Sequence, residues 1–358
     1  MNAASHPQEL WDICEGENAE AAIEACGQVL AGHATDIERC RAFYWRGSAY
    51  FRKGDYDRAI ADKTRAIELY PDFAVAFCDR GISYMEKGDH DRAIADWTRA
   101  IELDPDYVDP LCNRALAYDQ KRDHDRAIAD LTRAIELEPD YGVAFFLRGS
   151  AYEAKDNPDR AIADLTRAIE LDPNHAISFK IRGWAHLQKG DFDQAIADET
   201  RALVLNPNFV GAAAVRGFAY SARGDYDRAI ADHNMVLAVE PGNVPALCNR
   251  GLAYWAKGDL DTALADVGGA LRITPDNIDM LIHHGGILRD MGDLDGAIAN
   301  LTRAIALDPT NARFYRHRVT CYMETEKFGL ARADLNKVLE LDPNDEEASR
   351  ALADLDKR

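Results

Sequence analysis

The chain has 358 residues, 47% hydrophobic and 29% charged, with 62 Asp and Glu against 42 Lys and Arg for a formal charge of −20. That balance argues against nucleic acid, whose affinity comes from Lys and Arg meeting phosphates, and against acidic membrane surfaces. No 18-residue apolar run is present, so no membrane insertion is expected, and seven scattered cysteines make no disulfide framework.

The start, Met1-Asn2-Ala3-Ala4-Ser5-His6-Pro7, shows no basic stretch ahead of an apolar core, so no secretion signal is read and a cytoplasmic location is expected. The stretch around Leu10, Trp11 and Ile13 predicts a shortened helix, and 18–31 predicts a second. Residues 1–39 thus read as a degenerate N-terminal helical hairpin, set off by a longer loop at 32–39.

From there a proline returns every 34 residues: Pro71, Pro105, Pro139, Pro173, Pro207, Pro241, Pro275, Pro309 and Pro343. Phased on it, nine units follow without insertion: 40–73, 74–107, 108–141, 142–175, 176–209, 210–243, 244–277, 278–311 and 312–345. A fixed period of this length marks an array of one small unit, and arrays bind more often than they transform. Within 74–107 the apolar spacing predicts helices over 74–87 and 90–103, with Phe77, Gly81 and Tyr84 on one face. Gly88-Asp89 separates them, the glycine free to take a left-handed cap and the aspartate a good N-cap. Pro105 ends the second helix, because proline lacks the donor a helix interior needs. Helices joined so closely are antiparallel neighbours. The last stretch, 346–358, predicts one capping helix with Ala348, Ala351, Leu352 and Leu355 on its apolar face.

The order aromatic, Gly, Tyr, Ala, aromatic, Ala, Pro at these offsets, begun in 74–107 by Phe77, Gly81 and Tyr84 and closed by Pro105, resembles the tetratricopeptide repeat (TPR). The resemblance implies an all-α, right-handed superhelical solenoid of antiparallel helix hairpins, whose first helices line a concave groove. Cys14 and Cys26 lie on opposite arms of the N-terminal hairpin and could pair, which resembles secreted bacterial TPR proteins with a stapled first hairpin. An oxidised pair would imply a periplasmic or secreted protein whose signal peptide has been removed, against the cytoplasmic reading above.

Small residues recur where the two helices meet. Glycine, as in Gly81, holds the middle of the first helix in seven of nine units, and alanine, as in Ala93, the matching place on the second in all nine. A mid-helix glycine costs about 1 kcal/mol against alanine, so its return implies close packing. The residue before that glycine, usually leucine in the family, is here arginine: Arg46, Arg80, Arg114, Arg148, Arg182, Arg216, Arg250 and Arg318. Sixteen residues later stands Asp62, Asp96, Asp130, Asp164, Asp198, Asp232, Asp266 or Asp334, a bacterial-type Arg-Gly/Asp variant of the pattern. The unit with His284 for arginine also has Asn300 for aspartate, so the charges are expected to pair within a hairpin. Solvated charges copied by duplication are the alternative.

A second face of the first helices, which in the family contacts ligands, is unusually apolar here. It carries Tyr44, Phe51, Cys78, Ile82, Met85, Leu116, Phe146, Trp184, Leu187, Phe218, Leu252 and Trp255. Ligand contact is expected first of Phe51, Met85, Leu187 and Trp255; Ile82, Leu116, Trp184, Phe218 and Leu252 either line the groove or pack on the next unit. Charge on this face runs from Asp79, Glu86, Asp109, Asp119 and Glu153 to Arg289, Arg313 and Arg316, with His283 and His317 beside them. A ligand with a basic segment and an acidic end would be oriented by it; ordinary surface variation is the alternative. The family's carboxylate clamp is not recognisable, since Cys78, Cys112 and Phe146 stand at one of its basic places.

No Walker loop, Gly-x-Gly-x-x-Gly, His-Glu-x-x-His or Cys-x-x-Cys occurs, and His283-His284 with His317 lacks a third metal ligand. No enzyme, cofactor or metal is expected. The expected function is a non-enzymatic scaffold binding a protein or peptide segment in an apolar concave groove; the alternative is a chaperone or assembly adaptor that shields an apolar client segment.

Overall fold

The computed structural model describes residues 8–356, and every regular element among them is an α-helix. The chain divides into two compact units, Met1–Ile181 and Arg182–Arg358. The first holds α1 (Gln8–Cys14), α2 (Ala19–Ala31), α3 (Asp36–Arg52), α4 (Tyr56–Leu69), α5 (Ala74–Glu86), α6 (His90–Leu103), α7 (Val108–Gln120), α8 (His124–Leu137), α9 (Gly142–Ala154) and α10 (Pro158–Leu171). The unit boundary falls inside α11 (Ala176–Gln188). The second unit continues with α12 (Phe192–Leu205), α13 (Val210–Ala222), α14 (Tyr226–Val239), α15 (Val244–Ala256), α16 (Leu260–Ile273), α17 (Ile278–Asp290), α18 (Leu294–Leu307), α19 (Ala312–Glu324), α20 (Phe328–Leu341) and α21 (Glu346–Asp356).

Each hairpin turns where the sequence changes its chemistry. Gly88 takes φ +75°, and Asp89 then caps α6 by accepting from the Arg92 amide at 3.1 Å. Three units lack that glycine, and Arg122, Asp156 and Glu326 hold the left-handed turn at φ 61°, 56° and 55°. A side chain there sets Cβ close to the following carbonyl, a cost of about 1–2 kcal/mol per residue. One expectation needs correcting. Residues 36–39 belong to α3 rather than to a loop, because Thr35 and Glu38 form a reciprocal capping box that starts the helix a turn early.

The recurring glycine admits the residue sixteen positions on. Trp97 lies fully buried with its indole donating to the Cys78 carbonyl at 3.0 Å, and a Cβ on Gly81 would stand 2.6 Å from its Nε1. Leu165 fills the same place against Gly149, and Val267 against Gly251. The alanine takes part through its backbone: the Ala161 and Ala263 carbonyls lie 3.3 and 3.2 Å from those positions. Ala93 itself is fully buried. Three units place an ionisable group in this spot, Lys63, Glu199 and His233, all buried.

The arginines pair inside their own hairpins. Arg80 donates through Nε and Nη2 to the two oxygens of Asp96 at 2.8 and 2.7 Å, and its Nη1 donates to Thr64 of the preceding hairpin at 2.9 Å. Arg114, Arg148, Arg216 and Arg318 repeat both contacts. One guanidinium thus ties two helices of one hairpin to the hairpin before. In the exceptional unit Asn300 Nδ2 sits 3.2 Å from His284 Nδ1, a neutral contact replacing the ionic one.

The two ends differ. Cys14 and Cys26 form a disulfide with Cα atoms 5.1 Å apart, beside buried Trp11, Val29 and Ala42. At the other end α21 lays Ala348 and Leu355 over Leu335 and Val338.

Candidate functional site

Within each unit successive first helices touch: α3 with α5, α5 with α7 and α7 with α9 in the first, α13 with α15 and α15 with α17 in the second. Their outward side chains therefore form a face rather than isolated spots.

In the first unit much of that face is occupied by the protein itself. The Tyr44 hydroxyl donates to Asp79 at 3.0 Å, and its ring packs on Trp45 and Phe73 with centroids 5.1 Å away in both cases. Phe51 leans on Tyr56, and Lys63 Nζ lies 5.5 Å from its ring. Cys78 is closed off at 2% exposure; its sulfur accepts from Asn113 Nδ2 at 3.8 Å, and burial pushes the thiol pKa up to about 12. Ile82 and Met85 are half-buried, Met85 with its sulfur 3.2 Å from His90 Nδ1. Phe146 meets the His175 ring edge-on at 4.6 Å. Leu116 stands free at 38% exposure.

The acids expected to meet a basic ligand segment have inner partners. Asp79 faces Lys63 at 3.4 Å, Asp109 accepts from the Tyr141 hydroxyl at 3.3 Å, and Asp119 meets His124 at 2.7 Å. Burial pushes the Lys63 pKa down, and Asp79 opposes that shift. The first unit also has a hollow of about 530 Å³ between α3 and the end of α4, walled by Tyr44, Trp45, Leu69, Tyr70 and Phe73. Ile37 stands 82% exposed on its rim. Sequence reasoning passed over this hollow, although Tyr70 is the one aromatic residue at a place that elsewhere holds a polar residue such as Asp104, Asn206 or Thr274.

In the second unit the apolar row is more open. Trp184 and Phe218 hold the same place in consecutive repeats and are 38% and 47% exposed. Leu252, next in the row, is half-buried against the cluster around Val267, and Leu187 is also half-buried. Trp255 does not stand free: its indole lies over Gly286, where a Cβ would come within 2.6 Å, and Nε1 donates to Asp290 at 2.8 Å. Arg316 turns away to Asp345 at 3.3 Å. Arg289 and Arg313 instead line a cavity of about 200 Å³ with His283 and His317. Burial, aided by Arg313 and Arg289, holds the His317 pKa below its ordinary value. No group of three His, Cys, Asp or Glu side chains among the described residues is placed to hold a metal ion, and no described helix is long and apolar enough to cross a membrane.

An array of antiparallel helix hairpins with a shared first-helix face defines a class of protein, the helical repeat scaffold. Family models for the tetratricopeptide repeat match at 40–73, 81–121, 112–174, 146–208, 216–278 and 288–355, and the chain belongs to that family, whose members are generally protein–protein interaction scaffolds. No curated protein sequence matches it. Among solved structures it is similar to the C-terminal part of a TPR repeat-containing protein from Cytophaga hutchinsonii (20% identity, 68% of this chain and 98% of that one, TM-score 0.55). PilF of Pseudomonas aeruginosa is 15% identical over 59% of this chain and 96% of its own, with TM-score 0.53. A tetratricopeptide repeat protein from Parabacteroides merdae is 17% identical over 70% and 99%, with TM-score 0.51. At these identities the likeness concerns the fold alone.

Proposed function

We propose that the chain is a non-enzymatic scaffold that holds an extended or helical peptide segment along the apolar face of its first helices, chiefly the row Trp184, Phe218 and Leu252 of the second unit. The observation that carries this is the exposure of Trp184 and Phe218 at matching places in consecutive repeats. Covering a large apolar side chain fully is worth about 1.5–3 kcal/mol, so a row of them favours a partner. The Arg-Gly/Asp pairs support placing the chain in a variant branch of its family, and the disulfide supports an oxidising compartment as its place of action.

The test is a peptide array probed with the purified chain and with Phe218→Asp. Phe218 stands half in water, so the variant should keep its thermal midpoint while losing at least tenfold in affinity for apolar peptides. An array showing no preference for apolar over polar peptides would count against the groove.

A further inference from the structure

Two departures from the repeat lattice meet in the first unit. The Thr35–Glu38 capping box starts α3 a turn early and so sets Asp36 and Ile37 on the rim of the hollow of about 530 Å³ beside the end of α4. Trp45 and Tyr70 stand at places where no other repeat has Trp, Tyr or Phe. Together with Tyr44 and Phe73 they wall that hollow. The rings do not form one stack: Tyr44 meets Trp45 at 69° and Phe73 at 47°, and Tyr70 meets Phe73 at 66°. Rings at such angles bound a space from different sides, and each ring face carries the negative part of the aromatic quadrupole.

The charged groups at the rim set the sign of the ligand. Arg41 is compensated: it donates to Glu15, and its guanidinium lies 4.4 Å over the Trp11 ring. The Tyr44 hydroxyl is committed to Asp79, which in turn faces Lys63. Asp36 is exposed and makes no ion pair among the described residues. One negative charge is therefore left beside an aromatic space.

We propose that this hollow binds the trimethylammonium head of a small quaternary ammonium compound of the choline type, held by cation–π contact with Tyr44, Trp45, Tyr70 and Phe73 and by the Asp36 carboxylate at its mouth. A methylated ammonium carries its charge on an apolar surface with no N–H to satisfy. An aromatic wall accepts such a group; a primary ammonium has three donors to place and finds too few acceptors there. An anion would be repelled by Asp36 and by the ring faces alike. The volume falls in the range of about 300–1,000 Å³ usual for small-molecule sites, so a whole ligand fits rather than one side chain. None of these residues belongs to the second unit, so the site is independent of the apolar row there.

The N-methyl proton resonance of choline, titrated with the full oxidised chain, reads the site, because aromatic ring currents move methyl protons upfield. A saturable upfield shift is expected, with choline bound at least tenfold tighter than the neutral isostere in which a tert-butyl group replaces trimethylammonium. Tyr70→Leu keeps an apolar wall and removes a ring face; Asp36→Asn keeps the shape and removes the charge. Each should weaken choline at least threefold and leave both the isostere's affinity and the thermal midpoint unchanged. Equal binding of choline and isostere overturns the proposal, as does choline binding that neither substitution alters. The absence of a choline shift in a chain with its thermal midpoint intact overturns it too. A peptide carrying trimethyl-lysine that binds tenfold tighter than choline overturns the small-molecule source.

Discussion

At the scale of single residues, the position sixteen after the hairpin glycine sets the tightness of each repeat. At Gly81 a methyl group would press on the indole of Trp97, which is locked by its bond to the Cys78 carbonyl. At Gly285 the nearest atom is the Ala297 carbonyl at 3.5 Å, an ordinary contact. Gly81→Ala should therefore destabilise by about 1–3 kcal/mol through overpacking. Gly285→Ala should stabilise by up to about 1 kcal/mol through helix propensity. Urea unfolding of the two variants reads both signs, and equal shifts would contradict the packing account. His233 occupies the same spot against Gly217 with neither ring nitrogen hydrogen-bonded. Burial lowers its pKa; Asp232 opposes and Arg250 adds to the shift. The unfolded chain thus takes up a proton near pH 6.5 while the folded chain resists. The stability is complete above that pH and is lost as pH falls toward the lower folded value. His233→Leu, which supplies the residue found at Leu131 and Leu165, should raise the urea midpoint at pH 7 and raise it further at pH 5. A gain that does not grow on acidification would show that the ring is not kept neutral by burial.

At the scale of the hairpin, the arginine–aspartate pair joins three helices with one side chain. Asp164 is buried, and Arg148 reaches it with two nitrogens at 2.7 and 2.8 Å while its third donates to Thr132 at 3.1 Å. Arg148→Leu leaves a buried carboxylate with no cation and should cost about 3–5 kcal/mol, whereas Arg148→Leu with Asp164→Leu should recover most of that loss. Independent, additive losses in urea titrations would reduce the pair to two solvated charges. This pairing was legible in the sequence because both partners sit at fixed offsets and vanish together at His284 and Asn300. The turn at Gly88 was legible for the same reason, since its chemistry is local. Occupancy of the outward face was not. Trp255 is covered because the next repeat offers Gly286, and Cys78 because the next offers Asn113, so each outcome depends on the identity of a residue some thirty positions away. The Thr35–Glu38 capping box was readable but lay outside the proline lattice. The cavity between α17 and α19 was half visible: Arg289, Arg313, His283 and His317 were legible in the sequence, while the diversion of Arg316 to Asp345 required the cap helix in place.

At the scale of the whole chain, a repeat array is held by neighbours, so its ends need their own locks. The N-terminal helix α1 has seven residues, too few to persist alone. It is tied to α2 by the disulfide across a 12-residue separation, and Arg41 of α3 lies 4.4 Å over the Trp11 ring. A loop of that size is worth about 3 kcal/mol in the unfolded-chain account. The C-terminal lock is noncovalent: Asp345 accepts from the Ala348 amide at 2.9 Å, meets Arg316 at 3.3 Å, and starts the helix that covers Leu335 and Val338. The two locks should therefore fail under different treatments. Reduction of the full chain should raise hydrogen exchange through residues 8–31 and leave 312–341 protected. Removal of 346–358 should do the reverse, unprotecting 312–341 while the oxidised N-terminal hairpin stays closed. Exchange rising at both ends under either treatment would mean that the chain unfolds as one cooperative body, and each end would then owe its order to the whole array rather than to its own staple or cap.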